Sequence, residues 1–107
     1  MPADPASLTG MAPGALVHRL IAEVLAVPVE RILPETRLTA ELGAESIDYV
    51  DLIFRLEEAL GVPVTVSRWA AFLRSRLPEH DHAELITAAL VQEFAVLVTG
   101  EASHAVP

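Results

Sequence analysis

The chain has 107 residues, a formal net charge of −8, no cysteine and no lysine. That length holds one domain with a modest core. The charge argues against nucleic acid and anionic membrane as partners and favours basic protein surfaces. The absence of cysteine excludes disulfides, thiolate metal sites and a cysteine nucleophile. Apolar residues make up 52% but aromatic residues only 5%. The core is therefore aliphatic, and its Ala- and Leu-rich character favours helices.

Residues 1–14, rich in proline, glycine and small side chains, read as a flexible tail. They carry Asp4 and no apolar run, so they are not a signal peptide. Residues 15–26 form a first helix whose Leu16, Val17, Leu20, Ile21, Val24 and Leu25 make one apolar stripe, stopped by Pro28. Residues 27–45 are a long connection for a helical bundle. Val29, Ile32, Leu33, Leu38 and Leu42 recur in it, which predicts a loop packed on the core, with Thr39 capping a short turn.

Residues 46–60 form the helix around which the chain is organised. Gly43 breaks the chain before it, Ser46 is its expected N-cap and Gly61 its C-cap. At about 100° per residue, Tyr49, Leu52, Ile53, Leu56, Ala59 and Leu60 face the core. Asp48, Asp51, Arg55 and Glu58 face water, with Arg55 paired to Asp51 or Glu58. Ile47, Val50 and Phe54 form a third strip between these charges and Glu57. A helix that only had to fold would not set apolar side chains outside the core arc among carboxylates. The layout is that of a docking surface with an apolar anchor and an acidic rim.

Residues 67–77 form a further helix with Ser67 as its expected cap and Trp69, Phe72 and Leu73 as its buried strip. The functional alternative for that strip is a wall of a pocket. Pro78 closes the helix, and residues 79–82 form a polar turn in which His80 and His82 lack the further ligands that zinc requires. Residues 83–99 make the last helix, capped through Asp81 and Glu84. Leu85, Ile86, Ala89, Leu90, Phe94, Leu97 and Val98 form its apolar face, and Gly100 ends it. The apolar run 85–98, interrupted by Gln92 and Glu93, is too short to span a bilayer. Residues 100–107 are a second tail. The expectation is a monomeric cytoplasmic protein with its domain at 15–99.

Leu42-Gly43-Ala44-Glu45-Ser46-Ile47-Asp48, with Val50, Asp51, Leu52, Leu56, Glu57 and Glu58 after it, resembles the phosphopantetheine-attachment region of acyl carrier proteins. The resemblance runs from about residue 15 to residue 64. It departs from the usual pattern at Glu45 (usually Asp), at Phe54 (often Met) and at Arg55 in an otherwise acidic face. It implies an all-α four-helix bundle of the acyl-carrier type with a long packed first loop. It also implies 4′-phosphopantetheine, taken from coenzyme A and esterified to Ser46, holding acyl groups as thioesters for fatty acid, polyketide or specialised lipid synthesis. Partners would be a phosphopantetheinyl transferase and acyl-loading, modifying and transferring enzymes with basic docking surfaces. On this chain they would meet Glu45, Ile47, Asp48, Val50, Asp51, Phe54, Glu57 and Glu58. The longer segment after the organising helix, with Trp69, is similar to specialised carriers such as the very-long-chain carriers of bacterial lipid A assembly.

Two other readings are carried. One is a peptidyl carrier of non-ribosomal synthesis, which Glu45 and Asp48 around Ser46 disfavour. The other is an unmodified helical docking module, in which Ser46 only caps its helix. No catalytic set and no metal cluster is legible, so the chain is expected not to be an enzyme.

Overall fold

The computed structural model describes residues 13–77 and 82–105. Among the described residues, six α-helices follow one another: α1 Pro13–Leu25, α2 Leu38–Leu42, α3 Ser46–Leu60, α4 Val66–Arg76, α5 His82–Leu85 and α6 Ala88–Ala105. A 3-10 turn, Val29–Arg31, sits in the first connection. Among the described residues there is no strand, only an isolated bridge between Arg37 and Thr87. Four long helices make the expected all-α bundle. Helix α1 packs on α3 and α6, α3 packs on α4, and α2 meets α5.

The stripe of α1 is buried as expected at Leu16, Val17, Leu20 and Ile21. Val24 and Leu25 are half-buried against the core. Helix α1 starts at Pro13, a position proline favours because its missing N–H is not needed there. It ends at Leu25, where Ala26 takes a left-handed conformation (φ 56°) and Val27 N–H returns to Ala22 O. Pro28 acts one residue earlier than expected, by keeping Val27 out of the helical region. The tail predicted at the N-terminus falls outside the described residues as far as residue 12.

The first connection is packed, though not by all of its aliphatics. Ile32, Thr36 and Leu38 are buried and Leu42 is half-buried, whereas Val29 and Leu33 are exposed. What anchors the loop is backbone bonding to the start of α6. Leu38 N–H donates to Ile86 O, Ala88 N–H to Thr36 O and Ala89 N–H to Pro34 O at 2.8–3.1 Å. Thr87 Oγ1 accepts from Leu90 N–H at 3.1 Å. The leading N–H groups of α6 thus find acceptors in a loop distant in sequence.

This stitching corrects the reading of the last helix. The segment 83–99 is two helices, broken at Ile86 and Thr87, and Thr87 is the cap of the longer one. The predicted cap residue Asp81 lies outside the described residues. The break resets the helical phase. Ala88, Val91, Phe94, Ala95 and Val98 are buried, while Leu85 and Leu97, expected on the core face, are exposed. Gly100 does not end α6, which continues to Ala105. In α4 the cap is Thr65, whose side chain accepts from Arg68 N–H, and not Ser67, which lies inside the first turn. Trp69, Phe72 and Leu73 are buried as expected.

Candidate functional site

Helix α3 carries the candidate site, and its wheel is observed as read. Tyr49, Leu52, Ile53 and Leu56 are buried, with Ala59 and Leu60 half-buried behind them. Ile47 and Phe54 are 70% and 63% exposed, and Val50 is half-buried between them. The helix ends at Gly61 (φ 68°), a left-handed position where a side chain would be strained.

The N-terminus differs from expectation in a way that matters. The cap is Glu45, and Ser46 is the first helical residue. The Glu45 side chain accepts from Asp48 N–H, and Asp48 Oδ2 accepts from Glu45 N–H at 2.8 Å, a reciprocal capping box. The Ser46 hydroxyl is therefore not consumed by the cap, and the residue is exposed. The N–H groups of Ser46 and Ile47 lie in the first turn, where a helix has no intrahelical acceptor for them.

The backbone leading into Ser46 is held from below. Gly43 closes α2 in the left-handed region (φ 74°) and donates to Leu38 O and Thr39 O. Thr39 does not cap α2, whose N-cap is Arg37. Its hydroxyl donates to Ala44 O at 2.9 Å, so at 2.8 Å from Tyr49 it accepts the phenol O–H. Burial pushes the Tyr49 phenol above its ordinary value of 10.0, and the Asp48 and Glu84 charges add to this.

That relay yields a prediction. Because the folded pKa lies above 10.0, the stability linked to neutral Tyr49 is intact below that pH and is lost as pH rises through the folded value. Tyr49→Phe is expected to cost about 1 kcal/mol at neutral pH and to reduce the alkaline loss. Urea midpoints at neutral and alkaline pH check both. A variant with the wild-type alkaline slope would show that Tyr49 is not the group responsible.

The predicted docking carboxylates are arranged more tightly than a solvated face requires. Asp51 Oδ1 accepts from Arg55 Nε at 3.1 Å, and Arg55 Nη1 also reaches Glu23 Oε1 of α1 at 3.4 Å. The expected pairing of Arg55 is therefore with Asp51, and the Glu23 contact was not legible in the sequence. Glu57 Oε2 accepts from Val64 N–H at 3.3 Å, and Glu58 is exposed. Phe54, Asp51, Arg55, Glu57 and Glu58 share one shallow depression. Glu45, Ile47 and Asp48 stand at the other end of the helix, beside Ser46.

A second feature was offered only as an alternative in the sequence. Ser46 sits on the rim of a groove of about 300 Å³ whose lining is almost wholly apolar. Val50, Val66 and Ala83 share that rim, and Tyr49, Trp69, Leu73 and Ile86 are its buried walls. Trp69 is thus both core and wall. Among the described residues no group of His, Asp or Glu could hold a metal ion. His80 and the side chain of His82 lie outside them. No described helix is long and apolar enough to cross a membrane.

Comparison with known proteins bears on this geometry directly. Residues 15–71 match the family described as "Phosphopantetheine attachment site". The chain belongs to the acyl carrier protein family. It is 28% identical over 53 residues to the acyl carrier protein AcpXL of Mesorhizobium japonicum, covering 50% of this chain and 57% of that one. It is 30% identical over 53 residues to AcpXL of Brucella melitensis, with the same coverage. It is 42% identical over 48 residues to the acyl carrier protein of Helicobacter pylori, covering 45% of this chain and 62% of that one. The chain thus spans about three fifths of the length of these relatives. The family's prosthetic group is covalently attached 4′-phosphopantetheine. The residues present fit it: an exposed primary hydroxyl, at a helix start that favours a phosphodiester, opening onto an apolar groove.

Proposed function

We propose that this carrier holds its arm on Ser46 and presents acyl groups to biosynthetic enzymes of fatty acid, polyketide or specialised lipid synthesis in the cytoplasm. One observation carries the reading. The Ser46 hydroxyl is exposed and left out of the capping box, at the mouth of an apolar groove. In the attachment step the Ser46 Oγ–phosphorus bond forms and the phosphoanhydride bond of coenzyme A breaks. Adenosine 3′,5′-bisphosphate leaves, and the hydroxyl proton goes to a base of the transferase. Once bound, the group supplies a terminal thiol that carries acyl cargo as a thioester. The chain's own residues position it. The box formed by Glu45 and Asp48 fixes the first turn, the Tyr49–Thr39–Ala44 relay fixes the loop before it, and the walls below exclude water. The test is intact mass after incubation with coenzyme A, Mg²⁺ and a promiscuous phosphopantetheinyl transferase.

Partner enzymes dock, on this reading, along Ile47, Val50 and Phe54, with Glu45, Asp48, Asp51, Glu57 and Glu58 as the acidic rim. Rim charges act mainly on association rate and salt sensitivity, and exposed aromatics act as anchors. Phe54→Ala is expected to lower transferase turnover several-fold and leave circular dichroism unchanged, since the ring is already in water. Added salt is expected to raise the apparent KM of the wild type. Turnover that ignores both the substitution and the salt would remove this face from recognition.

A further inference from the structure

We infer that Arg55 makes the middle of the α3 docking face cationic, and so selects partner enzymes that set a carboxylate there, between the basic residues that meet the acidic rim. The inference rests on the docking reading above, and adds to it the kind of partner and the residue that chooses it.

Four charges alternate across two helices. On α1, Arg19 Nε lies 3.5 Å from Glu23 Oε2. Glu23 Oε1 lies 3.4 Å from Arg55 Nη1, and Arg55 Nε donates to Asp51 Oδ1 at 3.1 Å on α3. This set carries no net charge, in a chain whose net charge is −8. Exposed pairs of this kind stabilise a fold little. Their consequence lies in the charge that the face presents. Asp51 is already paired, so a partner lysine that approached it would meet the Arg55 guanidinium as well.

Arg55 also lines the depression that holds Phe54, Glu57 and Glu58, and its side chain is 40% exposed. Its Nε and Nη1 make the bonds to Asp51 and Glu23, so Nη2 has no acceptor among the described residues. A guanidinium with unused N–H groups at such a depression is a receptor for a carboxylate. The bond to Asp51 and the Asp51 charge raise its pKa further, so this charge is permanent. A basic side chain at the same place meets like charge, which is how a specific face turns away a wrong partner. The flanks stay acidic, with Glu45 exposed beside Ser46 and Glu58 exposed at the other end. The complementary surface is therefore basic, acidic and basic again along the helix.

The probe is a promiscuous phosphopantetheinyl transferase with a basic docking patch, followed by intact mass at several salt concentrations. Arg55→Gln is expected to lower its KM about threefold, to leave kcat unchanged and to steepen the salt dependence. Adding Asp51→Asn to Arg55→Gln returns KM to the wild-type value. Arg31→Gln makes the same change of charge outside the depression and leaves KM near the wild type. A purely structural Arg55 would instead lower the urea midpoint in Arg55→Gln and leave KM alone, which overturns the inference. A second arm reverses each lysine and arginine of the transferase patch to glutamate, one at a time. One reversal is expected to lower KM for the wild type and to raise it for Arg55→Glu. The absence of any such reversal also overturns the inference. Should Phe54→Ala and salt leave turnover unchanged too, the docking reading itself fails. Should they act while the Arg55 variants match the wild type, only the role of Arg55 fails.

Discussion

Ser46→Ala is expected to abolish the phosphopantetheine-sized mass gain completely while leaving the fold as stable as the wild type to within about 0.5 kcal/mol. The second half of that expectation comes from the capping geometry. Were Ser46 the cap, its loss would cost about 1 kcal/mol. The cap is Glu45, locked reciprocally with Asp48, and alanine is a good residue at the first helical position. Glu45→Ala should therefore show the converse pattern, losing about 1 kcal/mol and still gaining the mass. Intact mass and urea denaturation on the three proteins resolve the matter. A mass gain on Ser46→Ala would move the attachment site to another residue. No gain on the wild type with several transferases would make α3 the docking helix of an unmodified module.

Much of α3 could be read from the sequence because its information is local. A 3.6-residue period fixed the buried side at Tyr49, Leu52, Ile53 and Leu56, and Gly61 marked the end. Phe54 fell outside the core arc and is found in water. The caps were less legible, since several residues with capping side chains compete within two positions of each other. Between Glu45 and Ser46 the winner is set by the reciprocal bond to Asp48. Between Thr65 and Ser67 it is Thr65 that has the extended backbone (φ −119°, ψ 157°) and accepts from Arg68 N–H. The break at Thr87 carries no glycine or proline. It exists because Thr36 O and Pro34 O, remote in sequence, accept the N–H groups that the interruption frees. The groove was hidden for the same reason, as its lining comes from α2, α3, α4 and α5 together with Ala44 and Ile86. A functional serine was visible in its motif, but what lies beneath it depends on long-range packing.

Phe94→Ala against Leu97→Ala tests the part of the fold that local reasoning placed wrongly. The periodicity of an unbroken helix put both on one apolar face. With the phase reset at Thr87, Phe94 is 1% exposed and Leu97 41%. Phe94 touches both Trp69 and Phe72, so its removal leaves a cavity behind Trp69, a buried wall of the groove. The expected cost is about 3–5 kcal/mol, a large share of the ~5–15 kcal/mol that holds a domain of this kind together. Leu97→Ala should stay within about 0.5 kcal/mol of the wild type. Urea midpoints followed by circular dichroism give both numbers. Trp69 emission in Phe94→Ala should also shift to the red below the transition, because the indole loses its backing. Equal costs at the two positions would mean that α6 runs unbroken into the preceding segment, and that the loop carrying Pro34 and Thr36 is not what holds its start.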